Sequence, residues 1–294
     1  MKNLFNLLKE KLSGKRWRRF IIVAVVVLAS GLYFYHGEVP LILSQSAFDA
    51  LVDVVAPANG QRVLVFSPHP DDETIGVGGY IAQSIRNGAD VRIVLVTNGN
   101  YRHKEAIRYA EFKKATSILG VPETSLVFLN FPDHSLQTIN QTILEAALQV
   151  QIDQFHPHII IYPHPQDYNR DHAAIGKAVT AILESGHYNV TAYEYLVHYE
   201  LIWPQPQKFA PDLHLLPPKK LTGPGNQWMV FTLTQDVEKQ KEEAIFTYQS
   251  QLLDPWLDEL LVSSIRKNEL LAIPEISSGA APSRSATEHF PVPS

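Results

Sequence analysis

Two kinds of apolar pattern follow one another along most of this chain. Short runs that are apolar at most positions indicate strands buried on both faces, whereas longer segments with apolar residues three or four positions apart indicate helices. Strands are predicted at 62–67, 91–97, 126–130, 158–162 and 191–198. Helices are predicted at 74–87, 104–119, 138–154, 171–185, 235–250 and 256–268.

The alternation of strands and helices predicts the fold class. Parallel strands need crossover connections, which are right-handed, and helices of this length provide them. We therefore expect an α/β fold over residues 61–272, with a Rossmann-like, mostly parallel sheet and helices on both faces. Residues 199–228 interrupt the alternation with six prolines, and they form either a lid over a site or a loop around the sheet edge.

Three glycines lie in the first predicted helix of this domain, Gly76, Gly78 and Gly79. They resemble part of a dinucleotide-binding fingerprint, but the spacing differs and the acidic loop before them would repel a pyrophosphate. We interpret them as positions where the helix packs closely against the sheet.

The first sixty residues differ in composition from the rest. Segment 1–19 contains seven Lys and Arg residues and one Glu, and no charged residue occurs at 20–35. We predict a basic cytoplasmic segment at 1–19, a transmembrane helix (an anchor, or a cleaved signal peptide) at 20–36 and a connector at 37–60. We therefore expect a single-pass membrane protein with a cytoplasmic N-terminus and an extracytoplasmic main domain, or a secreted protein if the segment is cleaved. A disordered tail is expected at 273–294.

Charge and cysteine content narrow the chemistry. The formal net charge is −5, and because segment 1–19 carries +6, the remaining chain carries −11. An acidic body argues against a nucleic-acid partner, since phosphate binding needs a basic surface. The chain has no cysteine, so disulfides, thiolate metal sites and cysteine nucleophiles are excluded. Any metal must therefore be held by His and carboxylate side chains.

The first polar cluster follows the first predicted strand of the domain. Its sequence is Ser67-Pro-His-Pro-Asp-Asp-Glu73, which places one imidazole and three carboxylates within five positions. Open α/β sheets bind ligands at the carboxyl ends of their strands. Four such groups are too costly to crowd together without a cation or a shared proton. The cluster predicts a metal site with a spare carboxylate, which is suited to activating water.

A second polar cluster follows the fourth predicted strand and includes His164, Asp167, Asn169, Asp171 and His172. Either cluster alone would also fit a turn with capping aspartates. Two such clusters at the same sheet edge favour convergence on one ion.

These motifs resemble the PIG-L/LmbE-like family of zinc-dependent N-acetylglucosamine deacetylases, over roughly residues 60–270. The resemblance is carried by the following motifs: Pro-His-Pro-Asp-Asp-Glu at 68–73, Thr-Asn-Gly at 97–99, Arg108-x-x-Glu111 ahead of Leu-Gly-Val at 119–121, Phe-Pro-Asp at 131–133, Asp-His at 171–172 and Tyr-Gln-Ser-Gln at 248–251. Residues 61–272 are therefore expected to be a deacetylase domain.

The resemblance implies roles for particular residues. His69, Asp72 and His172 look like the metal ligands, with Zn²⁺ as the default and Fe²⁺ as another fit to the same ligands, and Asp71 looks like the general base. The implied reaction is hydrolysis of the N-acetyl group of an N-acetylglucosamine-type glycan or glycoconjugate by a metal-activated water, with release of acetate. The predicted anchor suggests a lipid-linked or cell-envelope glycan.

One position departs from the family pattern. Better-known members have a His three residues before the last ligand, where this chain has Asn169, although Asp171 is retained. Asparagine can donate a hydrogen bond to an oxyanion but supplies no proton. Either the metal does more of this work, or His164 or His198 reaches in from another loop. We expect Asp71, Asp171 and Asn169 to be catalytic.

Substrate contacts are expected from four further side chains: Arg108, Asp133, His164 and His198. An Arg-x-x-Glu helix pair would explain Arg108 equally well, and turn chemistry would explain Asp133. Two alternative functions remain open at this stage. One is an amidase of related chemistry on another acylated amino-sugar conjugate, and the other is a catalytically silent glycan-binding protein.

Overall fold

An eight-stranded sheet forms the centre of the protein in the computed structural model, which describes residues 19, 21–31, 45–185, 188–200, 203–223, 225–254 and 257–276. The strands in chain order are β1 (Val52–Asp53), β2 (Arg62–Ser67), β3 (Asp90–Thr97), β4 (Leu126–Phe131), β5 (Ile159–Pro163), β6 (Thr191–Tyr195), β7 (Gln227–Thr232) and β8 (Asn268–Ile273). Their order across the sheet is β1-β7-β8-β6-β5-β2-β3-β4. Neighbours pair in parallel, except that β8 is antiparallel to both β6 and β7.

Helices cover both faces of the sheet. After a short helix α1 (Gln45–Phe48), they are α2 (Asp72–Arg86), α3 (Glu105–Ile118), α4 (Gln141–Phe155), α5 (Arg170–Glu184), α6 (Gln235–Ile245), α7 (Gln249–Leu252) and α8 (Asp258–Ser263). One apolar cluster packs α2, α3 and α6 against the sheet, and a second packs α4 and α5 against the other face. The predicted α/β class with a mostly parallel sheet is therefore confirmed.

The sequence pattern missed the three strands, β1, β7 and β8, that complete one side of the sheet. β1 falls in the predicted connector, β7 begins within the proline-rich segment, and β8 begins at the last residue of the helix predicted at 256–268, of which only α8 forms. Five of the six residues of β8 are buried, so this strand lacks the alternation that marks a half-exposed strand. The proline-rich segment packs Trp203, Leu215 and Leu221 against this side of the sheet, as a loop around the edge would do.

Close packing explains the glycine at position 76. A Cβ atom there would collide with the ring of Tyr195, whose hydroxyl donates to the Phe66 carbonyl oxygen at 2.9 Å and so fixes the ring in place. The interpretation of these glycines as helix–sheet contacts is confirmed at this position.

The prediction of a transmembrane helix at 20–36 is wrong. Among the described residues, no helix is both long and apolar enough to cross a membrane. Within the predicted anchor, the structure describes residues 21–31, and they are helical. This finding also overturns the predicted single-pass localisation. Residues 20 and 32–36, most of the basic segment and the tail beyond 276 lie outside the described residues.

The strand order brings the two polar clusters together. β2 and β5 are neighbours, and the chain leaves β2 toward β3 but leaves β5 toward β6 on the opposite side, so the two connections diverge and open a crevice at the carboxyl ends of both strands. The loop after β2 leads directly into α2, and the loop after β5 leads into α5. Both clusters therefore stand at one edge of the sheet.

Candidate active site

The loop between β2 and α2 holds a strained aspartate. Asp71 has φ 141° and ψ −30°, a backbone conformation that L side chains rarely adopt and that costs ~1–3 kcal/mol. Its backbone N–H points toward Glu73 Oε2 at 3.4 Å. The buried Glu73 carboxyl also accepts hydrogen bonds from Ser67, Thr74 and Tyr248. Surrounding packing thus fixes the backbone that presents the Asp71 side chain.

Three buried donor atoms from the two clusters form a small triangle. Asp72 Oδ2 lies 3.0 Å from His69 Nδ1 and 2.9 Å from His172 Nε2, and the two ring nitrogens are 3.3 Å apart. Ligands at ~2.0–2.1 Å from a tetrahedral Zn²⁺ stand about 3.3 Å from one another. The donor types and their separations therefore fit a divalent cation of this kind.

The electrostatics of this triangle also fit a cation. Burial would lower the pKa of His69, but the carboxylates of Asp133, Asp171 and Asp72 raise it well above its ordinary value. Burial would likewise lower the pKa of His172, yet Asp72 and Asp167 raise it to about 9. Both rings therefore tend to hold a proton among the carboxylates. A divalent cation can replace those protons and balance the same negative charge.

The second nitrogen of His69 is held by two more carboxylates. His69 Nε2 lies 3.1 Å from Asp171 Oδ2 and 3.1 Å from Asp133 Oδ1. Asp171 also accepts the Leu136 N–H at 2.9 Å, and Asp133 accepts the Tyr101 N–H at 3.0 Å. Such contacts orient a ligating imidazole and leave its other nitrogen free for a metal.

Arg108 connects the candidate base to this network. Its guanidinium lies 3.4 Å from Asp71 Oδ2 and 3.4 Å from Asp133 Oδ2, and it donates to the carbonyl oxygens of Pro70 and Gly99. Burial raises the pKa of Asp71 to about 8, although the positive charge of Arg108 opposes this shift. A cation in the neighbouring donor triangle would act in the same direction as Arg108 and favour the carboxylate.

A cleft of about 150 Å³ opens onto these groups and is lined by two kinds of side chain. The polar lining consists of side chains of the two clusters together with Tyr101, Arg108, Asp133, His134, His198 and Gln251. The apolar lining consists of Ile75, Leu257, Leu260 and Leu261. A ligand in this cleft would therefore meet both charged groups and hydrocarbon.

Asn169 and His198 both line the cleft, whereas His164 does not number among its lining residues. The Asn169 side-chain oxygen caps α5 by accepting the Asp171 N–H at 2.9 Å. His164 is buried, with Nε2 2.8 Å from Asn226 Oδ1 and 3.4 Å from Glu194 Oε2. The structure thus gathers nine of the ten predicted residues around the donor triangle and places His164 behind them.

Sequence reasoning assigned no role to several residues of the site. Asp167 lies in the quoted second cluster, and only its contacts in space distinguish it from a turn aspartate. His134 follows Asp133 directly, and its ring lies 4.5 Å from the Tyr101 ring and 6.0 Å from the His69 ring. Gln251 belongs to the C-terminal motif of the resemblance. No local pattern shows that these positions meet.

The fold and the donor triangle define an α/β protein with a candidate metal site at the switch point of its sheet. Residues 64–183 match the PIG-L family, described as GlcNAc-PI de-N-acetylase. An uncharacterized deacetylase, YaiS, of Escherichia coli (strain K12) is 30% identical over 131 residues, which are 42% of this chain and 70% of that protein. The chain belongs to the PIG-L family.

A second relative and a solved structure extend the comparison. A 1D-myo-inositol 2-acetamido-2-deoxy-alpha-D-glucopyranoside deacetylase of Mycobacterium sp. (strain KMS) is 29% identical over 174 residues, 46% of this chain and 54% of that protein. The chain thus matches about half the length of this relative. The structure of the A40926 pseudoaglycone deacetylase Dbv21 covers 75% of this chain and 99% of its own, with a TM-score of 0.54 at 18% identity, and supports the fold alone.

Proposed function

We propose that this protein is a metal-dependent deacetylase that hydrolyses the N-acetyl group of an N-acetylglucosamine-type sugar and releases acetate. The observation that carries the proposal is the triangle of His69, Asp72 and His172 with the Asp71 carboxylate beside it in the cleft. Relatives named as deacetylases of 2-acetamido sugars support the substrate class. The predicted lipid-linked or cell-envelope substrate depended on the membrane segment, so the proposal names only the amino sugar.

Each polar group has a role in this reaction. A divalent metal held by His69, Asp72 and His172 would supply Lewis acidity toward the acetamide carbonyl and the attacking water. Asp71 accepts a proton from that water as its oxygen bonds to the carbonyl carbon. The same carboxyl returns the proton to the nitrogen when the C–N bond breaks, which yields acetate and a free amine. Arg108 holds Asp71 in place throughout.

We further propose Zn²⁺ as the metal, because two imidazoles and one carboxylate with an open position form a typical catalytic zinc set. Fe²⁺ fits the same donors. Metal analysis of the purified full chain, followed by removal with chelator and reconstitution with each ion, distinguishes them. Activity restored by Fe²⁺ and not by Zn²⁺ would reject zinc.

The main test is acetate release from a panel of N-acetylglucosamine conjugates, with and without chelator. The Asp71→Asn variant should lose at least ~10²-fold in kcat because it cannot accept the proton, while its metal content stays at the wild-type level. Asp153→Asn, at an exposed aspartate, is the matched control and should retain full activity. Unchanged turnover in Asp71→Asn would reject the assigned base, and no acetate from any conjugate would reject the deacetylase.

The apolar lining residues of the cleft favour a second candidate, an amidase that removes a larger acyl group from an amino sugar. Leu257, Leu260 and Leu261 line the cleft together with Ile75 and could contact a longer chain. Replacing the acetyl group with butanoyl and octanoyl groups tests this candidate. A kcat/KM that rises with chain length would favour the amidase, and one that falls would favour the deacetylase.

A further inference from the structure

One buried carboxylate lies between two imidazoles of the site. Asp167 Oδ2 is 3.3 Å from His172 Nδ1, and Asp167 Oδ1 is 3.3 Å from His198 Nδ1. The Asp167 side chain has no exposed surface, and neither has that of His172, whereas the His198 side chain is 26% exposed and lines the cleft. Asp167 therefore contacts one proposed metal ligand and one ring that faces the substrate space.

Backbone contacts fix this carboxylate in place. Asp167 Oδ2 accepts the N–H groups of Val197 and His198 at 2.9 and 3.0 Å, and Oδ1 accepts the N–H of Asn169 at 2.9 Å. These bonds join the loop after β5 to the segment after β6. A carboxylate held by three backbone donors is a rigid support for neighbouring rings.

The remaining contacts of the two rings determine which nitrogen faces Asp167. His172 directs Nε2 to the donor triangle, which leaves Nδ1 on the Asp167 side. Among the described residues, neither His172 Nδ1 nor His198 Nδ1 has a hydrogen-bond partner elsewhere, and an Asp167 oxygen lies 3.3 Å from each, so the Asp167 carboxylate is the acceptor available to both. An acceptor at Nδ1 favours the Nδ1–H tautomer and leaves Nε2 with its lone pair.

We propose that Asp167 is a positioning residue for both rings, holding His172 with Nε2 toward the metal triangle and presenting His198 to the cleft with Nε2 as a hydrogen-bond acceptor. His198 is then a substrate-contacting residue that accepts a hydrogen bond from a substrate N–H or hydroxyl group. The substrate contact rests on the proposed function, whereas the support of the two rings by Asp167 does not.

The direct test is the tautomer of His198, read from ¹⁵N chemical shifts of the full chain labelled at histidine, both metal-free and with Zn²⁺. The wild-type ring should be the Nδ1–H tautomer, and Asp167→Asn should shift it toward Nε2–H. A wild-type His198 in the Nε2–H form would overturn the proposal, and this measurement needs no variant to fold. Because the tautomer measurement also needs no substrate, its result does not depend on whether the protein is active in the deacetylase assay.

Zinc affinity tests whether Asp167 positions His172. Calorimetric titration with Zn²⁺ should show a ten- to hundredfold weaker Kd in Asp167→Asn than in the wild type, as loss of the partner of a ligating His commonly causes. Asp153→Asn is again the matched control and should bind Zn²⁺ normally. Equal zinc affinity in folded Asp167→Asn would overturn the positioning of His172.

His198→Gln tests the substrate contact separately. It should lower kcat/KM about tenfold for the best conjugate of the panel while zinc affinity stays unchanged, because His198 lies outside the donor triangle. Full activity in His198→Gln would remove His198 from the substrate contacts. A loss of zinc affinity in the same variant would also count against the proposal.

Discussion

At the residue scale, the site is held together by buried ionisable groups that contact one another and the backbone. Asp133, Asp167 and Asp171 each accept backbone N–H groups as well as contacting imidazoles, so each connects a loop to the donor triangle. For Asn169, the structure adds a structural role to the predicted catalytic one. Its side-chain oxygen caps α5, which leaves only its amide N–H groups to donate to a ligand.

Glu194 gives a prediction about pH and stability. It lies behind the site, where burial raises its pKa from 4.5 to about 7 against the opposing hydrogen bond from Tyr162. The folded state therefore binds a proton more tightly than the unfolded state. The stability that this provides is complete below about pH 4.5 and is lost as the pH rises through 7.

We expect the free energy of unfolding of Glu194→Gln, relative to that of the wild type, to increase by ~3 kcal/mol from pH 4.5 to pH 8, since each pKa unit corresponds to ~1.4 kcal/mol. Urea unfolding of both proteins at the two pH values measures this difference. Glu243→Gln, at an exposed glutamate, should track the wild type at both pH values. A Glu194→Gln difference that is the same at both pH values would show that Glu194 does not titrate in this window.

At the scale of elements, α2 does two things at once. Its first turn supplies Asp72 to the donor triangle, and its next turn brings backbone atoms close to Tyr195 of β6. The glycines in the sequence predict a close approach of this helix to the sheet. They do not predict that Tyr195 is the contacting residue, because it lies more than a hundred positions away. The helix is therefore held at a fixed distance from the strand whose following segment carries His198.

Two glycines of α2 provide a matched pair of substitutions. Gly76→Ala should destabilise the protein by about 1–3 kcal/mol, because the added Cβ would collide with the Tyr195 ring. Gly78→Ala adds a Cβ that meets its nearest neighbour, Thr74 Cγ2, at 3.4 Å, an ordinary contact, so the smaller conformational freedom of its unfolded chain should leave the variant neutral or up to ~1 kcal/mol more stable. Chemical unfolding of both variants provides the measurement. Equal stability of the two would contradict the packing argument.

At the scale of the whole molecule, the pattern of apolar and polar residues predicted the part of the fold in which strands and helices alternate. Five strands, the helices between them and the meeting of both polar clusters at one sheet edge all follow from period and strand order. Three strands were missed: β1 has only two residues, β7 begins within the proline-rich segment, and β8 is buried along most of its length and so shows no alternation. The transmembrane prediction depended on hydropathy and the absence of charge alone, and among the described residues no helix is both long and apolar enough to cross a membrane.

Because the donor triangle is assembled from two distant loops, the proposed metal site exists only when the whole domain is folded. His69 and His172 are 103 positions apart, so their donor atoms come within 3.3 Å of each other only in the folded chain. Zn²⁺ should therefore raise the free energy of unfolding, by about 2.7 kcal/mol at a free concentration one hundred times Kd. Thermal unfolding of the full chain in zinc buffers measures this increment, which chelator should reverse.

The increment should disappear in His172→Gln, because that variant removes one corner of the triangle while the loop after β2 stays unchanged. His158→Gln is the control, since His158 accepts the Arg62 N–H at the opposite end of β2 and should keep the full increment. A zinc-dependent rise in Tm of equal size in His172→Gln would mean that the ion binds elsewhere on the chain. The two loops would then meet without forming the metal site on which the proposed hydrolysis depends.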